Sequence, residues 1–282
     1  MDQHEQTAAA ARPPVAAGER APDFTLPAVH REGRVSLGDY RGRSPLLLAV
    51  FRGLWCPFCR RAIAELGVTG DRLRTLGVET LAVVATNVDN ARLYFKLRPT
   101  RVPLAADPDC ATHRAYGLPK APLTPDVMSA LQATRVNPTG ELPAPMPVFE
   151  ASAALDQLHG FQASETDRRD YERQAGQFKG QFLVDRDGIV RWANVECAAE
   201  GIAGIGKFPT ADALLGAARA QWDNWAKDLR TELYQLLYEK PIYPKNLYLN
   251  RAPMKHAEYR QKVIRRQIRL MHDRGIWKRP ER

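Results

Sequence analysis

The chain has 282 residues, 44% apolar and 26% charged, with a formal charge of +9. Such a composition suits a globular protein with a sizeable core, built as one large domain or as one domain with extensions. No apolar run is long enough to span a membrane as a helix, and four cysteines are too few for a secreted disulfide scaffold, so the expected home is a reducing cytoplasm.

Residues 1–17 are Ala-rich with Pro13-Pro14 and lack a basic stretch followed by an apolar one, so they read as a disordered leader rather than a signal peptide. Pro22, Pro27 and Gly33 punctuate the entry to a domain over 18–220. Leu46–Phe51 is an apolar run suited to a central strand covered on both faces. A helix is predicted over 57–75, ending before Gly77. Glu79–Ala85 reads as a second buried strand. Asn87 or Asp89 caps a helix to about Leu97, with Ala91, Tyr94 and Phe95 on one face. Val102–Ala105 starts a short strand, and Asp107 or Asp109 caps a short helix ending near Tyr116-Gly117. Strands alternating with helices imply βαβ units and a parallel core.

Residues 118–178 interrupt this order. Seven prolines between 119 and 147 make the first half loop-like, and short helices are expected near 151–159 and 164–176. A connection of this length serves as a lid, an oligomer contact or a tolerated surface insertion. Strands over 181–185 and 189–193 flank Asp187-Gly188, a hairpin signal. Thr210 caps a helix through about Ala220. Beyond it, residues 221–282 hold 15 Lys/Arg against 7 Asp/Glu, so that extension carries +8 of the total charge. Trp222, Trp225, Leu229, Leu233 and Leu236 have helical spacing. A second, basic helix is expected from His256 to about Asp273. Such a helix binds nucleic acid or an anionic surface, or clasps its own domain or a second subunit. The latter is favoured, since no nucleic-acid motif accompanies it.

The chemistry concentrates at Trp55-Cys56-Pro57-Phe58-Cys59, between the first central strand and the helix that follows. Pro57 suits the first helical position, where no backbone N–H is needed. Free N–H groups and the positive end of the helix dipole favour a thiolate there. Arg52, Arg60 and Arg61 are expected to add positive charge. A zinc site needs two further ligands at suitable spacing, and Cys110, Cys197 and the six histidines offer no second close pair. A c-type haem site needs His where Arg60 stands. Between a structural and a redox pair, the strand–CxxC–helix setting points to redox chemistry. Cys197, before the Gly-rich loop 201–206, is a weaker candidate for a resolving or intersubunit thiol, and Cys110 is weaker too. The loop lacks the pattern of a P-loop.

These residues resemble the thioredoxin superfamily, and Pro-Phe between the cysteines is similar to the Pro-Tyr of glutaredoxins. The flanking phrases resemble the peroxiredoxins, the alkyl hydroperoxide reductase/thiol-specific antioxidant family. They are Gly18–Pro27, Ala106–Asp109 with Tyr116-Gly117, and Phe182–Gly188. The resemblance covers about 18–117 and 178–220. It implies an α/β, thioredoxin-like fold, with a central mixed β-sheet flanked by helices, carrying the long insertion and a helical C-terminal extension.

Set against the family motif Pro-x-x-x-Thr-x-x-Cys, the attacking cysteine falls on Cys59, the threonine position on Cys56 and the proline position on Arg52. Lys179 stands where the family has an arginine. The implied enzyme is an antioxidant thiol-dependent peroxidase. Cys59 attacks the peroxide, Cys56 closes a redox-active disulfide, and Arg52 or Lys179 stabilises the developing oxyanion. Trp55 and Pro57 support the pair. No bound cofactor or metal is implied. The expected partners are the substrate, an external dithiol reductant such as thioredoxin or glutathione, and a second copy of the chain. Neither membrane nor nucleic acid is expected. Two other readings stand beside it. In a thiol–disulfide oxidoreductase, Cys56 attacks a disulfide and Cys59 resolves it. In a non-catalytic module, the basic tail recruits a partner.

Overall fold

The computed structural model describes residues 12–221; the expected helices over 222–237 and 256–273 lie outside that range. The elements are β1 (Thr25–Pro27), β2 (Arg34–Ser36), β3 (Leu46–Phe51), α1 (Pro57–Thr75), β4 (Glu79–Val84), α2 (Val88–Leu97), β5 (Leu104–Ala106) and α3 (Ala111–Ala115). The insertion contributes α4 (Pro125–Ala133), β6 (Arg135–Val136), β7 (Met146–Pro147), α5 (Val148–Leu158) and α6 (Glu165–Gln174). The chain then returns through β8 (Gly180–Val184) and β9 (Val190–Val195) to a helix over 211–221, α7.

Five strands form one mixed sheet in the order β5-β4-β3-β8-β9. β3 lies at its centre, parallel to β4 and antiparallel to β8. All six residues of β3 are buried, because both faces of the sheet are covered. Leu47, Ala49 and Phe51 meet Ile63 and Leu66 of α1 on one side, while Leu46, Leu48 and Val50 meet Tyr116 and Phe182 on the other. A central strand buried on both faces accounts for the unbroken apolar run in the sequence. The architecture is α/β and thioredoxin-like. Asp187-Gly188 turns the β8–β9 hairpin, with Gly188 at φ 82°, a conformation glycine adopts without steric cost.

Several boundaries follow from local chemistry. Asn87, not Asp89, caps α2, its side chain accepting from the Asn90 N–H at 2.8 Å. α3 departs from the expected capping. Cys110 occupies the cap position in a left-handed conformation, while the Asp107 carboxylate accepts from the N–H groups of Ala111 and Thr112. Thr210 caps α7 as expected, accepting from the Ala213 N–H.

Two expectations are corrected. Within the leader, residues 13–17 are not loose: Val15 is buried and its N–H donates to the Tyr116 carbonyl. Gly117, at φ 67°, permits this approach, since a Cβ there would stand 2.2 Å from the Pro13 carbonyl oxygen. The first half of the insertion is also not all loop. Thr124 caps α4 and Pro125 opens it, so one proline read as a breaker is a helix starter. α6 begins with a capping box, Ser164 with Asp167.

Candidate active site

β3 delivers the chain from the middle of the sheet into the turn Arg52–Trp55, and α1 begins immediately after it. The Cys56 N–H donates to the Gly53 carbonyl at 3.2 Å. Cys56 is the N-cap of α1 and Pro57 its first residue, and the Cys56 Sγ accepts from the Cys59 N–H at 3.3 Å. The sulfur thus takes the place of a capping oxygen, using one of the free donors of the first helical turn. Both cysteines are 1% exposed and both are free thiols. A side-chain hydrogen bond joins them.

The two thiols are driven apart. Burial opposes a charge on Cys56, but the hydrogen bond from Cys59 and the charges of Arg52 and Lys179 bring it down to about 5. Burial raises Cys59 well above the ordinary thiol range, reinforced by the bond to Cys56 and the negative charge there. The geometry therefore places the stabilised thiolate on Cys56, the residue in the family's threonine position, rather than on Cys59. The local geometry agrees with this: the Cys56 sulfur caps the helix and accepts the Cys59 N–H, while Cys59 lies inside the first turn.

Arg52, just after β3, and Lys179, just before β8, converge here at one end of the sheet. Both side chains are nearly inaccessible, and Glu196 lies between them. Its Oε1 is 3.1 Å from Arg52 Nη2 and 3.6 Å from Lys179 Nζ. The same oxygen accepts the Gly206 N–H at 2.7 Å. Lys179 Nζ donates to the Gly206 carbonyl and Arg52 Nη1 to the Gln177 carbonyl. Burial resists the charge on Glu196, but these two cations and the backbone donors keep its carboxyl below the ordinary range. Two cations against one carboxylate leave a positive surplus that a thiolate can balance. Glu196 had no sequence motif to mark it.

Arg60 and Arg61 do not supply the expected charge. Arg60 turns away to the Leu54 carbonyl and Asp156, with its guanidinium 3.7 Å over the ring of Phe161. Arg61 pairs with Glu65 and Glu141. Both are held instead by α1 and the insertion. Gln174, buried at the end of α6, is a second clamp absent from the sequence reading. Its Oε1 accepts from the Gly53 N–H at 2.7 Å and from Trp55 Nε1 at 3.0 Å, while its amide donates to the Ala85 carbonyl. Trp55 also meets Tyr171 edge to face.

Together the insertion, the CPFC turn and the loop after β9 line an open cavity of about 790 Å³. Cys56 lies in its wall, as do Trp55, Met128, Phe149, Tyr171 and Ile202. Cys197 borders it too, but its thiol is pushed up to about 11 by burial and by Glu196. Cys110 is raised to about 11 by burial and by Asp107. Neither shares the activation of Cys56. Among the described residues, no cluster of three or more His, Cys, Asp or Glu is arranged to hold a metal ion.

The AhpC/TSA family profile matches residues 17–193, well over half of the chain. The protein belongs to the AhpC/TSA family. Membership and the paired thiols make it a thiol-dependent oxidoreductase. Among solved structures, it is similar to the peroxidoxin BcpB from Mycobacterium tuberculosis, at 14% identity and a TM-score of 0.45, covering 73% of this chain and 97% of that one. It is similar to a reduced 2-Cys peroxiredoxin from Plasmodium vivax, at 17% identity and a TM-score of 0.48, covering 76% and 85%. Peroxiredoxin Q from Xanthomonas campestris matches at 17% identity and a TM-score of 0.42, covering 70% and 90%. No curated protein matches the sequence at a significant level.

Proposed function

We propose that this AhpC/TSA member is a thiol-dependent peroxidase in which Cys56, not Cys59, attacks. The Cys56 thiolate attacks the distal oxygen of a hydroperoxide: the S–O bond forms as the O–O bond breaks, and the alkoxide that leaves takes a proton from solvent. Cys56 becomes a sulfenic acid. Oxidation removes its negative charge, which was one cause holding Cys59 protonated. Arg52, which hydrogen-bonds Cys59, then favours the second thiolate. Cys59 attacks the sulfenic sulfur, water leaves, and a Cys56–Cys59 disulfide remains. An external dithiol accepts that oxidation and restores both thiols.

The observation that carries this reading is the pair of buried cations, Arg52 and Lys179, whose charges lower the Cys56 thiol. An alkoxide or hydroxide leaving group concentrates charge on oxygen, and preorganised cations in a dry site stabilise it most. Thiol–disulfide exchange expels a thiolate, a far better leaving group. Access supports the same choice. Cys56 is 1% exposed in the wall of an insertion-covered cavity, which suits a small molecule better than the disulfide of a folded protein.

Single-turnover kinetics of two variants with hydrogen peroxide, followed by dimedone labelling, test the order. Cys59→Ser is expected to consume one equivalent of peroxide and to carry label on Cys56. Cys56→Ser is expected to consume none at a comparable rate. Label on Cys59 in the Cys56→Ser protein, at the wild-type rate, overturns the assignment.

A further inference from the structure

We infer that His113 is a positioning residue for the active site, supplying the acceptor that holds the Nε edge of Arg52 in place beside the thiols. The inference rests on the reading of Arg52 as a cation that stabilises the Cys56 thiolate, and it deepens that reading by naming what aims the guanidinium. Arg52 is buried, and two of its three nitrogens are held, Nη1 by the Gln177 carbonyl and Nη2 by Glu196. Its Nε has no hydrogen-bond partner among the described residues. His113, on α3, is 0% exposed, and neither of its ring nitrogens has a partner there either. A buried donor on a cation and a buried acceptor, both left over, are costly apart and complementary together.

The fold brings the two residues to one place. Leu118 lies over the β3–β8 pair: a Cβ on Gly180 would stand 2.5 Å from Leu118 Cδ2, and Gly180 pairs with Val50, two residues before Arg52. The His113 carbonyl accepts from the Leu118 N–H at 2.9 Å. The Leu118 carbonyl accepts from Gln177 Nε2, and the Gln177 carbonyl from Arg52 Nη1. These contacts in series tie the backbone of His113 to the guanidinium. The imidazole also feels that charge. Burial lowers His113 to about 3, and the charges of Arg52 and Arg114 act in the same direction. A neutral ring keeps one nitrogen as an acceptor, whereas a protonated ring only donates. Neither group reaches a protein partner directly, so the link runs through a buried water, the usual way such groups are satisfied. With Nε held, every nitrogen of Arg52 is anchored, and its charge stays at Cys56 and Cys59.

Absorbance titration of the thiolate in the reduced full-length protein, with no peroxide present, tests the inference. His113→Phe keeps a ring but offers no acceptor. It is expected to raise the Cys56 midpoint from about 5 by about one unit, a tenfold change in the protonation equilibrium. His113→Gln restores an acceptor and is expected to bring the midpoint back to within about 0.3 of a unit of the wild type. Equal midpoints in the three proteins overturn the inference. So does a rise that His113→Gln fails to reverse, since that is the mark of packing alone. The wild-type protein supplies a check that needs no variant. Long-range proton–nitrogen NMR spectra should show His113 as a neutral ring in one tautomer from about pH 5 to about pH 8. A ring that gains its proton near the ordinary 6.5 would repel Arg52 and overturns the inference. None of these readings uses turnover. A midpoint that rises in His113→Phe and returns in His113→Gln, in a protein that reduces no peroxide, sustains the role of His113 and removes the peroxidase reading instead.

Discussion

Two thiols one helical turn apart would titrate alike if the helix dipole alone acted on them. They do not, because the side-chain hydrogen bond between them lowers Cys56, while burial, that same bond and the charge on Cys56 raise Cys59. The buried cations then act on a sulfur that is already a good acceptor. With its pKa at about 5, Cys56 is expected to show half-maximal thiolate absorbance at 240 nm near that pH, and peroxide reactivity that no longer rises between pH 7 and 8. The same shift appears in stability. A folded value of about 5 against an ordinary 9.0 means that the folded protein binds fewer protons than the unfolded chain between those limits. The contribution is fully present above pH 9.0 and is lost as pH falls through 5. Chemical denaturation of the reduced protein should therefore show stability rising with pH across this window relative to Cys56→Ser. Parallel curves for the two proteins, or a half-titration near 8, would show that the cap and the cations do not hold a thiolate.

At the level of elements, the site joins a sheet end, a helix start and an inserted segment, and these are not equally legible in the sequence. The strand β3, the helix α1 and the CPFC turn could be read because their signals are local: a continuous apolar run, a proline at the first helical position and a cysteine before it. Lys179 is marked only by the resemblance to the family. Glu196 carries no sequence signal, because its partner Arg52 lies 144 positions away and no spacing rule links them. Arg60 is close to the thiols in sequence, but Asp156 and Phe161 of the insertion set its direction. Gln174 shows how far the insertion matters to the turn. Replacing it by Ala strands the Gly53 and Trp55 N–H groups and the Ala85 carbonyl, at roughly 1–3 kcal/mol for each group left buried and unpaired. Gln174→Ala is expected to lose roughly 3 kcal/mol in denaturant unfolding and to raise the half-titration of Cys56 as the turn loosens. A loss below about 0.5 kcal/mol, the scale of an ordinary surface change, would mean that the turn holds itself.

At the scale of the molecule, charge and chemistry occupy different parts of the chain. Residues 221–282 carry +8 of the total +9, leaving the first 220 nearly neutral, and the chain divides into compact units at Gln221 and Trp222. Among the described residues, the groups that tune Cys56 are Cys59, Arg52, Lys179 and Glu196 of the first unit, which also supplies walls to the cavity. Coulombic influence between exposed charges fades over about 8 Å at physiological ionic strength, whereas the cations that tune Cys56 are buried with it, so the charge of the extension should matter little to that sulfur. A chain ending at residue 221 is therefore expected to keep the Cys56 titration midpoint within about half a unit of the full-length value, since a whole unit corresponds to about 1.4 kcal/mol. Its isoelectric point should fall sharply, and any change in assembly should appear in sedimentation rather than in the thiol chemistry. Absorbance titration and sedimentation velocity on the two proteins read these separately. A folded, truncated protein whose Cys56 midpoint rises by two units or more would place the basic extension within the active site itself.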